Sequence, residues 1–215
     1  MHEYATSRKT RHNLIQAAGE IAAETGFSNV SMRSIAKRSG ENIGSIHYHF
    51  GSKDNLFKEV IKESLKSWTD ESLSEYIAPL QSELNTKRGQ IGIMRSIVHY
   101  HIKNLFSHDK PVWHHKIMYH VLQYPSKLRD LVNEALIKPN DETVFKVFKK
   151  IRPEIKKYEM ELQIRLVLAP IYFHVIFRDI FLSNSGVKDY TKKYFRDLED
   201  KLVCHILHEF NLPTN

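Results

Sequence analysis

Apolar residues recur at helical spacing along the whole of this 215-residue chain. No segment alternates apolar and polar side chains between turn pairs, as a half-buried strand does. Leu14, Ala18, Ile21 and Ala22 form one stripe at i, i+4, i+7 and i+8, so the spacing predicts a helix over about 8–25 that stops at Gly26. Ser31 reads as the N-cap of a short helix carrying Ile35 and Ala36. Ser39-Gly40 breaks that helix, and a second short one carries Ile43, Ile46 and Phe50. After Gly51-Ser52, the residues Phe57, Val60, Ile61, Leu65 and Trp68 predict a long amphipathic helix to Ile77, stopped near Pro79. Farther on, the pattern predicts a helix over Thr86–Phe106 and helix starts or stops at Pro111, Pro125, Pro139 and Pro153. A long helix from Pro153 to Leu182, kinked at Pro170, and a last one from Lys188 to Phe210 complete the pattern, with a loop at Asn184-Ser185-Gly186 between them. The expected fold class is all-α.

The sequence excludes several function classes. The stretch free of charged side chains around Pro170, Leu166–Phe177, is 12 residues long, short of the roughly 20 that span a bilayer. The first ten residues place no apolar core behind their positive charges. A single cysteine, Cys204, leaves no internal disulfide and fits a reducing compartment. The expectation is a cytoplasmic protein with no membrane partner. No Gly-rich phosphate loop or metal-hydrolase helix motif is present, and Cys204 has no nucleophile context. Neither enzymatic activity nor a cofactor is expected, and no catalytic or metal-ligating residue is assigned.

The two short helices flanking Ser39-Gly40 have the proportions of a helix-turn-helix. Ala36 supplies the small residue where the helices cross, Gly40 the positive φ that the turn demands, and Ile46 the apolar plug beneath the second helix. A unit of this kind offers its last helix to the DNA major groove, which is wide enough to admit it. Charge points the same way only loosely. Residues 1–53 hold seven Lys or Arg against four acids, net +3, but the other 162 residues contribute +4 of the total +7.

The run Val30-Ser-Met-Arg-Ser-Ile-Ala-Lys-Arg-Ser-Gly40, followed by Gly44-Ser-Ile-His-Tyr-His-Phe-Gly-Ser-Lys-Asp-Asn-Leu-Phe57, resembles the DNA-binding signature of the tetracycline-repressor (TetR) family. His47 stands where the family most often carries tyrosine. The resemblance implies an N-terminal three-helix DNA-binding domain, residues 1–53, and a C-terminal helical ligand-binding and dimerisation domain, residues 54–215. It implies that Ser31 and Arg33 meet the phosphate backbone, with Arg33 in reach of a base. Ile43, Gly44, Ser45 and His47 then face the major groove, and Tyr48, His49 and Lys53 hold phosphates. The side-chain chemistry agrees: Ser, Tyr and Lys suit phosphate oxygens, Ile suits a thymine methyl, and His bonds a base edge. With no Arg, Asn or Gln facing the groove (Asn42 sits at the helix start), direct readout is expected to be sparse and DNA shape to matter more.

In the family, the C-terminal helices form a homodimer and enclose a pocket for a small-molecule effector. The corresponding candidates for the dimer interface are Tyr172, Val175, Ile176, Tyr194, Leu198, Leu202 and Ile206. Nineteen of the 23 aromatic residues follow Asp54. Candidate ligand-binding residues among them are Trp68, Tyr100, Trp113, Tyr119, Phe148, Tyr172 and Phe173, although core filling explains each as well. The segment Leu128–Pro139 is similar to the CerR-like branch of the family. The expected function is a ligand-responsive repressor that binds a palindromic double-stranded operator as a homodimer. The alternative is an all-α metal- or cofactor-binding protein using the histidine-rich segment 99–120, which holds His99, His101, His108, His114, His115 and His120.

Overall fold

A computed structural model describes the backbone of residues 2–69, 71–106, 111–123 and 125–214, and the side chains of all of these but 2–5, 67 and 69. Every regular element among the described residues is helical, in keeping with the sequence pattern. In chain order they are α1 His2–Thr25, α2 Met32–Ser39, α3 Ile43–Phe50, α4 Lys53–Thr69, α5 Leu73–Ile77, α6 Lys87–Phe106, α7 Val112–Gln123, α8 Lys127–Val132, α9 Lys138–Ile151, α10 Lys157–Ile176, α11 Arg178–Ser185 and α12 Lys192–Glu209. A π-helical turn, Asn133–Ile137, joins α8 to α9.

Several boundaries differ from the sequence expectation, the first helix beginning at His2 rather than near residue 8. The long helix after Ser52 ends at Thr69 rather than Ile77. Ser72 and Glu75 form a reciprocal capping box that starts α5 afresh, each satisfying a backbone N–H of the other. The helix expected from Pro153 to Leu182 begins at Lys157, runs through Pro170 and breaks at Phe177, where α10 and α11 meet at 72°. The last helix starts at Lys192, capped by Thr191, which leaves Tyr190 in the preceding loop. No single described helix is long and apolar enough to cross a membrane.

The chain groups into two compact units, Met1–Asp70 with Asp109–Leu136 and Glu71–His108 with Ile137–Asn215. In the first, the α1 stripe of Leu14, Ala18, Ile21 and Ala22 is buried and packs on α2, α4 and α7. The α7 helix is fastened there by named contacts. The Trp113 Nε1–H donates to Gln16 Oε1 at 2.9 Å, and the Ser64 hydroxyl donates to the His114 carbonyl at 3.3 Å. The His120 Nε2–H donates to the Ala23 carbonyl at 3.3 Å.

In the second unit, α6 packs against both α10 and α12. Ile93, Met94, Ile97 and Val98 of α6 and Val203 and Ile206 of α12 are fully or almost fully buried there. At the surface of this pairing Arg95 bonds Asp200 at 2.6 Å and Glu199 at 3.3 Å, while His99 Nδ1 meets Glu199 at 2.8 Å.

Candidate nucleic-acid interface

Local rules alone shape the N-terminal end of the first unit. Ser31 is extended and its hydroxyl accepts the Ser34 N–H at 3.0 Å, while Ser34 returns the bond to the Ser31 backbone, which fixes the start of α2. Gly40 closes α2 with φ 73°, the left-handed conformation expected of it. Asn42 then caps α3 by accepting the Ser45 N–H at 2.7 Å. Ile46 and Phe50 lie four apart and are buried, so the face of α3 opposite to them is set by spacing.

Gly44 and Tyr48 lie on that opposite face, while Ile43 and His47 sit on the flank nearer Phe50; all four are exposed. Tyr48 is 83% exposed, an unusual position for a large aromatic side chain on a helix whose other side is fully packed. Gly44 adds no side chain to this surface, so a ligand can approach the backbone closely. Ser45 and His49 are half-buried at its edges. Ser31 and Arg33 stand exposed at the start of α2, and Arg33 makes no ion pair with any described residue. Lys53, in the first turn of α4, rests its ammonium 5.6 Å above the Phe57 ring. The structure therefore brings the nine sequence candidates to three adjoining helix starts and one exposed face.

Two cations that add to the N-terminal charge are committed internally, which the sequence does not reveal. Arg38 donates two bonds to the Glu24 carboxylate at 2.9 Å each. The paired hydrogen bond holds Glu24 below the usual carboxylate range and raises Arg38. Arg11 pairs with Glu59 and lies 5.5 Å from the centre of the Phe50 ring. The exposed cations left to meet an anion include Lys9, Arg33 and Lys37, of which only Arg33 stands out from the sequence.

The remaining candidates separate between the units. Trp68, Trp113 and Tyr119 belong to the first unit, where Trp113 is part of the α1–α7 contact. Tyr100, Phe148, Tyr172 and Phe173 belong to the second. The Tyr100 hydroxyl donates to the Glu71 carbonyl at 3.0 Å, and burial pushes its pKa up to about 12, as it does for Tyr172. Phe148 is fully buried, its ring 4.6 Å from that of Phe210.

Of the interface candidates, Ile176 and Tyr194 are exposed, and Tyr172, Val175 and Leu198 are half-buried. Leu202 and Ile206 are buried inside the second unit, because the α12 face that carries them turns toward its core. The histidines are likewise divided. His99 and His101 lie in the second unit, His114, His115 and His120 in the first, and His108 falls outside the described residues. No group of three His, Cys, Asp or Glu among the described residues is placed to hold a metal ion.

Residues 14–60 match the family model described as bacterial regulatory proteins, tetR family. The chain is 25% identical over 89 residues to the HTH-type transcriptional repressor AcnR of Corynebacterium glutamicum, a match covering 41% of this chain and 40% of that one. It is 29% identical over 75 residues to the HTH-type transcriptional regulator UidR of Escherichia coli, covering 35% of this chain and 36% of the other. The chain thus spans less than half the length of these curated relatives. The fold likeness extends much farther. The crystal structure of HlyIIR, a hemolysin II transcriptional regulator, superposes with a TM-score of 0.64 over 93% of this chain and 97% of its own, at 15% identity.

Proposed function

We propose, on the premise that this chain belongs to the TetR family of bacterial regulatory proteins, that it is a DNA-binding transcriptional repressor. In this reading it is a cytoplasmic homodimer that holds a palindromic operator and releases it on taking up a small molecule. The observation that carries the reading is the outward face of α3. Ile43, Gly44, His47 and Tyr48 are presented on a helix locked at both ends and packed on its other side, with Ser31, Arg33 and Lys53 flanking it. Such a helix fits the major groove, and the flanking set fits phosphates. The DNA-binding part is taken to end at residue 53, where α4 begins. A mobility shift with the DNA upstream of the protein's own gene tests this. Sequence-selective retardation is expected, and none at any of several salt concentrations would sink the reading. Lys53→Ala is expected to weaken all sequences alike and to lower the salt slope of log K by about one.

The dimer has support of its own. Tyr158, Leu162, Leu166, Phe173 and Ile176 recur at intervals of three, four and seven along α10, and all are exposed, Leu162 by 52% and Phe173 by 50%. One continuous apolar stripe facing solvent is more than a lone domain surface carries, and a second copy related by a two-fold axis covers it. A symmetric dimer also matches a palindromic site. The interface proposed here consists of that stripe with Ile180 and Tyr194, and it leaves out the buried Leu202 and Ile206. Converting Leu162 and Phe173 together to Glu is expected to yield monomers in sedimentation equilibrium; an unchanged dimer would refute this surface.

For the effector we retain Tyr172 of the second unit as a contact; Tyr100 is buried with its hydroxyl bonded to the Glu71 carbonyl, and Phe173 belongs to the dimer stripe. Phe148 is enclosed by protein, and Trp68, Trp113 and Tyr119 belong to the first unit. Whatever the effector is, it must lower DNA affinity by the factor by which DNA lowers its own.

A further inference from the structure

We infer that His47 reads the exocyclic amino group of an adenine or a cytosine, acting as a hydrogen-bond acceptor. The inference rests on the DNA-binding reading above and adds the chemistry of one contact to it. Gly51 closes α3 with φ 71°, a backbone conformation that favours glycine. Its N–H bonds the His47 carbonyl at 2.9 Å, while its own carbonyl lies 3.3 Å from Nδ1 of the His47 ring. A carbonyl oxygen can only accept, so the ring nitrogen beside it must carry the proton. A neutral imidazole has one N–H, and with Nδ1 as donor the other nitrogen, Nε2, is left with a free lone pair.

The helix position sends that lone pair outward. His47 is exposed four residues after Ile43 and three after Gly44, on the flank of α3 between the buried Phe50 and the outward Tyr48. Gly44 has no side chain to keep a base edge away from the ring. In the major groove, the donors offered by bases are the N6 amino group of adenine and the N4 amino group of cytosine. Guanine offers only acceptors there, and thymine an acceptor and a methyl group. An acceptor at Nε2 bonds the first pair and sets a lone pair against a lone pair with the second. The tyrosine that the family most often carries at this position has a hydroxyl that both donates and accepts. Histidine held in one tautomer is the more discriminating choice.

Selection of bound duplexes from a random DNA pool at pH 8, with the full-length protein and three variants, tests the inference. Wild type is expected to enrich A or C over G and T by roughly threefold to tenfold at one position of each half-site, the range of a single net hydrogen bond. His47→Ala should flatten that position and leave the others intact. His47→Lys, a donor only, should move it to G or T, and His47→Gln, able to bond N6 and N7 of adenine together, should narrow it to A. Thermal melting by circular dichroism checks that each variant folds; the exposed side chain predicts melting close to wild type. A wild-type preference for G or T at the His47-sensitive position would overturn the inference while leaving the DNA-binding reading in place. A uniform loss of affinity in His47→Ala, with no position altered, would do the same, because it marks a phosphate contact. Failure of wild type to enrich any site would overturn both.

Discussion

Replacing Gly89 with alanine is expected to destabilise the protein by about 3 kcal/mol, at the upper end of what overpacking costs. Gly89 lies in the first turn of α6, and a Cβ there would sit 2.0 Å from the Glu83 carbonyl oxygen and 2.5 Å from its carbon. The obstacle is backbone, so no rotamer change relieves it. That backbone is itself tied down. The Thr86 hydroxyl donates to the Glu83 carbonyl at 3.0 Å and accepts the Gly89 N–H at 3.0 Å, and Gln90 donates to the Leu84 carbonyl at 2.9 Å. Moving Glu83 away therefore breaks the cap of α6. Gly92, one turn on, is the control, since nothing lies within 4 Å of its Cβ position. Gly92→Ala should stabilise by about 0.4–1 kcal/mol through the reduced entropy of the unfolded chain. Two glycine-to-alanine changes three residues apart should thus shift the melting temperature in opposite directions, Gly89→Ala downward by about 6–12 °C. Equal shifts would contradict the close approach at Gly89.

The second large effect is a dependence of stability on pH that traces to one side chain. His101 is buried on α6, its Nε2 without a hydrogen-bond partner among the described residues. Burial lowers its pKa to about 4 from an ordinary value of 6.5. Above pH 6.5 the ring is neutral in both folded and unfolded chains and costs nothing. Between 6.5 and 4 the unfolded chain takes up a proton that the folded one refuses, so stability falls as pH falls. The loss is about 2 kcal/mol by pH 5 and about 3 kcal/mol by pH 4. Carboxylates also titrate toward the lower end, so the informative quantity is the difference between wild type and His101→Leu. Urea unfolding at pH 7 and pH 5 should show the wild type losing about 2 kcal/mol more than the variant. Parallel losses would contradict a neutral buried imidazole.

Much of the recognition unit was legible because its determinants are local. Ser31, Gly40 and Gly51 mark helix ends by cap and turn chemistry, and Ile46 and Phe50 define the buried side of α3 by spacing alone. The exposed face follows from them. The pairing of Arg38 with Glu24 was not legible, because Glu20 and Glu24 only announce an acidic face on α1, and which cation meets it depends on how α2 crosses. The same holds for Leu202 and Ile206, whose spacing near four on α12 shows an apolar stripe but not whether it turns inward or outward. The end of α4 at Thr69 was readable after all: Ser72 and Glu75 spell a capping box before Leu73, a stronger signal than Pro79 seven residues on. The bend at Phe177 has no such mark, and Pro170, the residue that does announce a break, lies within a continuous α10.

The central claim is that the exposed face of α3 and its flanking groups bind a specific duplex. Anisotropy titration of a labelled duplex carrying the selected site, against a scrambled duplex of the same length and at salt between 50 and 200 mM, tests it most directly. The expected result is binding of the selected site tighter by about a thousandfold or more, weakening steeply as salt rises. Equal affinity for the two duplexes at every salt concentration would contradict it.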